Sequence, residues 1–165
     1  MADEKLDLER QEIDRAGTAP TFTPVAEAQI DATWDDLADE AAFKAAAAAV
    51  ADASKLGYQV RNKLNKMMLV VKNNSGGEGY VQVLNPSQVD GLEVAERTYT
   101  VADGDILFIG PWPSTYHAEN TEDSGAATPT HKDYVQMIFG TTLNLSTTYD
   151  DTNAAARFEV AALEI

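Results

Sequence analysis

From residue 66 onward, hydrophobic and polar positions largely alternate with a period of two, which predicts β-strands. Residues typical of turns separate the runs, as in the segments 73–77 and 103–105. Because no helical pattern interrupts these short strands, we expect an antiparallel β-sandwich, Ig-like or jelly-roll-like, over residues 58–165. The predicted strands are MMLVVKN (67–73), YVQVL (80–84), RTYTVA (97–102), DILFIG (105–110), DYVQMIFG (133–140), TLNLST (142–147) and RFEVAALEI (157–165).

Residues 31–57 have a helical period instead and predict one long, alanine-rich α-helix. Thr33 and Asp36 have the spacing of a capping box at its start, and Gly57 is placed to end it. Small side chains on one face allow close packing against the chain's own sheet or against a symmetry mate. The residues on that face are Trp34, Leu37, Ala38, Ala41, Ala45, Ala48 and Ala49.

Residues 1–30 predict an extended N-terminal arm. Leu6 and Ile13 are seven positions apart, which suggests a short amphipathic helix at the start of this arm. Further along, Gly17, Pro20 and Pro24 stop a helix and favour extended backbone. We expect the arm to become ordered on a partner; the alternative is a disordered segment without a role.

The chain is strongly acidic, with 27 Asp and Glu against 12 Lys and Arg and a net charge of -15. A field of this sign repels phosphate, so we expect no nucleic-acid partner. No apolar run approaches the ~18 residues that a membrane span needs, and the N-terminus does not resemble a signal peptide, so we expect no membrane partner. The absence of cysteine excludes disulfides and thiolate chemistry.

The bases are concentrated in one stretch of the sequence. Residues 41–72 carry six basic residues and one acidic residue, whereas the segments on both sides are acidic. This stretch has two interpretations: it complements the protein's own acidic parts, or it docks on an acidic partner surface. Its central basic residues, which we call the basic strip, are Lys55, Arg61, Lys63, Lys66 and Lys72.

No motif for catalysis or metal binding is found. His117 and His131 are fourteen residues apart in a long polar connection, residues 114–131, without the spacing of a zinc site. No nucleophile elbow or phosphate loop occurs, and the acidic pair Asp103 and Asp105 is explained more simply by turn chemistry than by calcium. We therefore expect no enzyme, no cofactor and no metal. Of two glycosylation sequons, the one at Asn73 is expected in an exposed turn.

Three stretches resemble small structural proteins of tailed bacteriophages and haloarchaeal tailed viruses. They are LVVKNNSG (69–76), GLEVAERTYTVADGDILFIGPWPSTY (91–116) and the C-terminal FEVAALEI. In that group a strand ending in Val-Lys-Asn opens the β domain, an Ile-Gly-Pro-aromatic-Pro corner follows, and a Val-Ala-Ala-Leu strand closes it. The arm, the helix and loop 114–131 lie outside the resemblance.

The resemblance implies a virion structural protein, most simply a capsid decoration (cement) protein on the outer surface of the shell. Its partners would be the major capsid protein and itself, and we hypothesise a homotrimer. The alternatives are a turret, spike-base or head–tail joining protein, or a glycan- or receptor-binding sandwich that uses loop 114–131. For each tryptophan among the candidates, the alternative to an interface role is core packing. The candidate interface residues are Phe22, Trp34, Arg61, Lys63, Lys66, Trp112 and Tyr116.

The acidity also bears on the environment of the protein. Few lysines and many carboxylates fit a protein that stays soluble in high salt, where charge repulsion is screened. We therefore hypothesise a halophilic host and a position on the outer capsid surface.

Overall fold

The computed structural model describes residues 6–13, 17, 19–25, 38–49, 57–62, 65–85, 88–89, 92–93, 96–113, 134–142 and 158–165. In these residues the protein is mainly β, with two larger sheets, one small hairpin and a single short helix. The helix is α1 (Glu40–Ala49). The strands are β1 (Leu6–Asp7), β2 (Arg10–Glu12), β3 (Thr23–Pro24), β4 (Tyr58–Arg61), β5 (Met67–Asn73), β6 (Gly79–Val83), β7 (Gln88–Val89), β8 (Leu92–Glu93), β9 (Arg97–Val101), β10 (Ile106–Ile109), β11 (Tyr134–Thr141) and β12 (Phe158–Glu164).

Five strands form the first sheet, sheet A, in the order β1-β4-β11-β6-β9. Its centre is antiparallel, with Met137 of β11 opposite Val83 of β6 on one side and Tyr58 of β4 on the other. The outermost pair, β1 with β4, is parallel. Gly57 precedes β4 with a positive φ of 99°, and a side chain there would collide with the carbonyl oxygen of Met137, so only glycine fits.

The second sheet, sheet B, has the order β10-β5-β12-β2, and β3 also pairs with β12. The antiparallel pair β5–β12 is its longest ladder and runs from Phe158 opposite Asn73 to Glu164 opposite Met67. On the other edge of β12, β2 pairs in parallel and β3 in antiparallel orientation. Two short segments of the arm thus share one long edge.

The hydrophobic core lies between the two sheets, as in a β-sandwich. Alternate residues of every long strand point into it, and Leu8, Val25 and Trp112 join it from the connections. Sheet A contributes Tyr58, Val60, Val81, Val83, Val101, Val135, Met137 and Phe139, and sheet B contributes Met67, Leu69, Val71, Ile109, Phe158, Val160 and Ala162. The mainly β class and the sandwich arrangement agree with the sequence pattern.

The N-terminal segment is built into both sheets. The amphipathic helix suggested by the spacing of Leu6 and Ile13 is wrong, because β1 extends sheet A and β2 extends sheet B. Leu8 lies between the two strands and is 6% exposed. Its backbone N–H donates a hydrogen bond to the backbone carbonyl oxygen of Gln59. The seven-residue spacing does not identify the buried position of this segment, because Leu8 is buried whereas Ile13 is 53% exposed. The described part of the arm forms short strands that pair with strands of its own domain.

Helix α1 covers the outer face of sheet A and is shorter than the predicted 31–57. Asp39 caps it, accepting a hydrogen bond at Oδ1 from the N–H of Ala42 (2.9 Å), so the described helix starts later than the predicted Thr33–Asp36 box. Phe43 is buried and stacks on Tyr80, with ring centroids 5.4 Å apart. The helix packs on the chain's own sheet, one of the two neighbours expected. The predicted packing face is wrong, because Ala38, Ala41 and Ala45 are exposed and the residues that pack on the sheet are Ala42, Phe43 and Ala46. Residues 26–37 and 50–56 lie outside the described residues.

Five of the predicted strands are confirmed to within about a residue at each end: those beginning near 67, 80, 97, 105 and 133. The C-terminal strand is confirmed at 158–164. The predicted strand at 142–147 lies almost entirely outside the described residues. Strand β4 was not predicted, since its four residues YQVR follow the alanine-rich stretch without a turn signal beyond Gly57. The bond between Gly110 and Pro111, which follows β10, is cis.

Substituting Leu8 tests whether the arm belongs to the folded domain. Because Leu8 is buried in the core, Leu8→Ala is expected to lower the free energy of unfolding by about 2–5 kcal/mol. Ile13 lies in the same segment but is 53% exposed. The matched Ile13→Ala variant is therefore expected to change the free energy of unfolding by less than about 1 kcal/mol. Urea denaturation measures both. Equal, small effects would show that the arm does not contribute to the core.

Tyr80 provides a pH-dependent test of the cover on sheet A. Burial, then the hydrogen bond to Glu78, raises the pKa of Tyr80 to about 12, against about 10 in an unfolded chain. Between these values the folded state retains a proton that the unfolded state loses, so stability falls as pH rises. Relative to Tyr80→Phe, the free energy of unfolding of the wild type should therefore fall by up to about 1.4 kcal/mol per pH unit between pH 10 and pH 12. Parallel stability curves would contradict the burial of this hydroxyl.

Candidate interaction surface

The outer face of sheet B carries the exposed hydrophobic residues of the described chain. In β10, Leu107 and Ile109 point to the core, so alternation places Ile106 and Phe108 on the outer face, where they are 50% and 63% exposed. The other two large exposed hydrophobics are Ile13 and Ile165, at 53% and 48%. All four of these residues belong to one sheet.

Ile13 and Ile165 each extend a strand by one residue. The N–H of Ile13 donates to Glu164 and that of Ile165 donates to Lys66, so both continue the ladders of sheet B. Since Leu163 packs on the outer face, alternation puts Ile165 there, and the parallel register puts Ile13 beside it. The exposed hydrophobic residues thus lie on both sides of the same outer face.

The centre of this face is covered by the arm. Val70, Ala161 and Leu163 form a small buried cluster, and half-buried Phe22 packs against it. The segment that holds Phe22 is fixed by two hydrogen bonds between the side-chain amide of Gln11 and the backbone of Thr21, of 2.5 and 2.6 Å. Phe22 is therefore part of the surface that a partner would meet.

Charge is nearly absent from the outward positions of sheet B. Glu159 is the one outward carboxylate in the described strands of this sheet, and Lys72 binds it at 2.7 Å. Asn74 donates a second hydrogen bond to the same carboxylate at 3.2 Å. In a chain of net charge -15, this face presents apolar groups, a neutralised ion pair and, opposite Ile165, the exposed Lys66. A largely apolar surface whose one strand carboxylate is paired is, on an acidic protein, typical of an interface.

Strand β10 forms the edge of sheet B and pairs with β5 alone among the described residues. On the opposite edge, β2 and β3 cover β12. The strand reads Ile-Leu-Phe-Ile and contains neither a charge nor a proline. Charged residues or proline usually protect the edge strands of natural proteins from pairing with other chains. An edge strand without them can form backbone hydrogen bonds with a strand of another chain.

The basic strip is divided between the two sheets. Arg61 ends β4 in sheet A and is exposed, whereas exposed Lys66 comes directly before β5 in sheet B. Lys72 pairs with Glu159 and lies 5.9 Å from the ring centroid of Phe22. Lys72 therefore fits the first interpretation of the strip, complementing the protein's own acids. Lys55 and Lys63 lie outside the described residues.

Of the candidate aromatic anchors, the structure describes two. Trp112 is 3% exposed and its side chain packs in the core. The side-chain amide of Asn62 donates a hydrogen bond of 2.8 Å to the backbone carbonyl oxygen of Trp112. Its indole N–H has no hydrogen-bond partner among the residues that the structure describes. Phe22 keeps partial exposure on the outer face of sheet B. Trp34 and Tyr116 lie outside the described residues.

The polar turn at residues 73–77 is a structural unit. Asn73 is fully buried, and its side-chain amide donates to Gly77 and Val101, both at 2.8 Å. The expectation of an exposed sequon at Asn73 is therefore wrong. The side-chain nitrogen that would carry a glycan is buried and donates two hydrogen bonds within the turn, so glycosylation would require Asn73 to leave the core. Asn144 lies outside the described residues. Asp103 accepts the N–H of Gly76 at 2.7 Å, in line with turn chemistry.

Within the described residues, no group of His, Asp or Glu side chains is arranged to hold a metal ion. The histidines and the whole of loop 114–131 lie outside these residues. No helix in the described part of the chain has the length and apolar character needed to cross a membrane.

Sequence reasoning missed Ile106 and Phe108 because β10 is apolar at every position and shows no alternation. The signal that was present is the run itself: four consecutive large hydrophobic residues in a strand that has a polar turn at one end. Which two of the four face outward follows from the position of the core alone.

Comparison of the chain with protein-family models, with curated proteins and with solved structures found no match.

Proposed function

We propose that this protein is a virion structural protein that decorates the outer surface of a capsid and binds the major capsid protein. The resemblance of three sequence stretches to structural proteins of tailed viruses supports this role. Those stretches form most of β5, all of β8, β9 and β10 with the following corner, and β12. Most of sheet B is thus built from the resembling segments.

The observation that carries the proposal is the outer face of sheet B. The four exposed large hydrophobic residues of the described chain lie on it, and its one outward strand carboxylate is neutralised by Lys72. A decoration protein must bury one face on the shell and keep the others in solution. Apolar surface removed from water contributes about 25 cal/mol per Å², so this face supplies the driving force for docking.

The remaining surface fits the exterior of a particle in brine. The unpaired carboxylates of the described residues lie outside the outward positions of sheet B, as for Glu9, Glu12 and Asp105. In high salt their mutual repulsion is screened over a few ångström, while hydrophobic docking is maintained. We propose a halophilic host on this basis.

Charging the apolar face is the direct test. Ile13→Asp with Ile165→Asp puts two unpaired carboxylates at exposed positions of the outer face, where they would be desolvated on docking. We expect the number of bound copies per particle to fall at least tenfold when undecorated shells are mixed with this variant. The ratio of decoration protein to major capsid protein on purified particles measures it.

A matched control places the same two charges elsewhere. Ala41 and Ala45 are exposed on α1, on the sheet A side of the molecule, and Ala41→Asp with Ala45→Asp leaves sheet B unchanged. This variant should bind like the wild type. Equal loss in both variants would indicate a general charge effect, and equal binding in both would refute docking through sheet B. A copy number far below that of the major capsid protein would favour a turret or joining role.

A further inference from the structure

Within the described residues, the edge of β10 that faces away from β5 has a defined set of backbone groups without a partner strand. The N–H of Asn73 donates to the carbonyl oxygen of Asp105 at 3.0 Å, so Asp105 directs its oxygen toward β5. Backbone groups alternate along an antiparallel strand, so Leu107 and Ile109 also bond to β5. The N–H and C=O of Ile106 and Phe108 therefore point to the open edge.

We propose that a second copy of this chain pairs with β10, strand to strand and antiparallel, about a twofold axis. Leu107 lies opposite Leu107 on the axis, and Ile106 of one copy lies opposite Phe108 of the other. In this register the four outward N–H groups of the two copies meet four outward C=O groups. The outer face of the dimer gains two Ile–Phe contacts across the junction, and both sheets B become one continuous sheet.

The choice of a second copy follows from the symmetry and charge of the edge. Ile-Leu-Phe-Ile is apolar throughout, so it complements itself without an acidic residue in the paired segment. Asp105 precedes the strand and Gly110 follows it, so antiparallel pairing sets the two Asp105 carboxylates at opposite ends of the junction. Threefold contacts do not use this symmetry, and the twofold pairing takes the place of the trimer hypothesised from the sequence.

The charge of the chain gives this pairing a salt dependence. Each copy carries a net charge of -15, so long-range repulsion opposes association and salt relieves it. The dimer should strengthen as ionic strength rises. A basic partner at the same edge would show the opposite trend, because salt weakens attraction between unlike charges.

The absence of cysteine allows a sharp crosslinking test. Leu107 faces itself at a non-hydrogen-bonded pair, where Cα atoms are about 4.5 Å apart, close enough for a disulfide. Under mild oxidation in high salt, Leu107→Cys should form a covalent dimer in most of the protein. Ile13→Cys lies at the opposite edge of the same sheet and is 53% exposed, so it serves as the matched control and should remain mostly monomeric.

Light scattering with size-exclusion chromatography provides the second measurement. The wild type should have about twice the monomer mass of 17.8 kDa in high salt, and its dimer dissociation constant should rise at least tenfold for Phe108→Lys. Ile13→Lys should keep the dimer. Phe108 is 63% exposed, so the variant should fold, and circular dichroism checks this.

A monomeric or trimeric wild type, a dimer unaffected by Phe108→Lys, or equal crosslinking of both cysteine variants would each overturn the proposal. These measurements use the purified full chain without capsids. A dimer that does not bind shells would leave this proposal intact and refute the proposed function, and shell binding by a strict monomer would do the reverse.

Discussion

The pairing of β12 on both of its edges is the interaction on which the rest of the structure depends. One edge forms the longest ladder of the protein with β5, and the other receives two segments of the N-terminal arm. Its inward residues Phe158, Val160 and Ala162 lie in the core. Sheet B therefore joins β12 to segments of the arm that are far away in sequence.

This closure determines which surfaces remain for partners. The arm covers the edge of β12 and, through Phe22, the centre of the outer face, while α1 covers sheet A through Phe43. Among the described residues, the large hydrophobic side chains that stay exposed lie around this centre, on the outer face of sheet B. The described segments of the arm therefore complete the two sheets and border this apolar face.

Most of the β-strands were predictable because alternation is a local property that each segment carries with it. The arm, β4 and the extent of α1 were not, because their state depends on residues far away in sequence. Arg10 is an example: its partner Glu164 is 154 positions away, at 2.7 Å, and no local pattern indicates that contact. The buried amide of Asn73 is similar, since its burial depends on Val101 reaching the same turn.

The amino-acid sequence was sufficient for the mainly β class, the positions of the main strands, the acidic character and the absence of thiol chemistry, because each is set by composition or local periodicity. The tertiary structure alone decided which hydrophobic residues are buried. Trp112 and Phe108 are close in sequence and equally hydrophobic in character, yet one is 3% and the other 63% exposed. A strand has two faces, and only the position of the opposing sheet makes one of them the core.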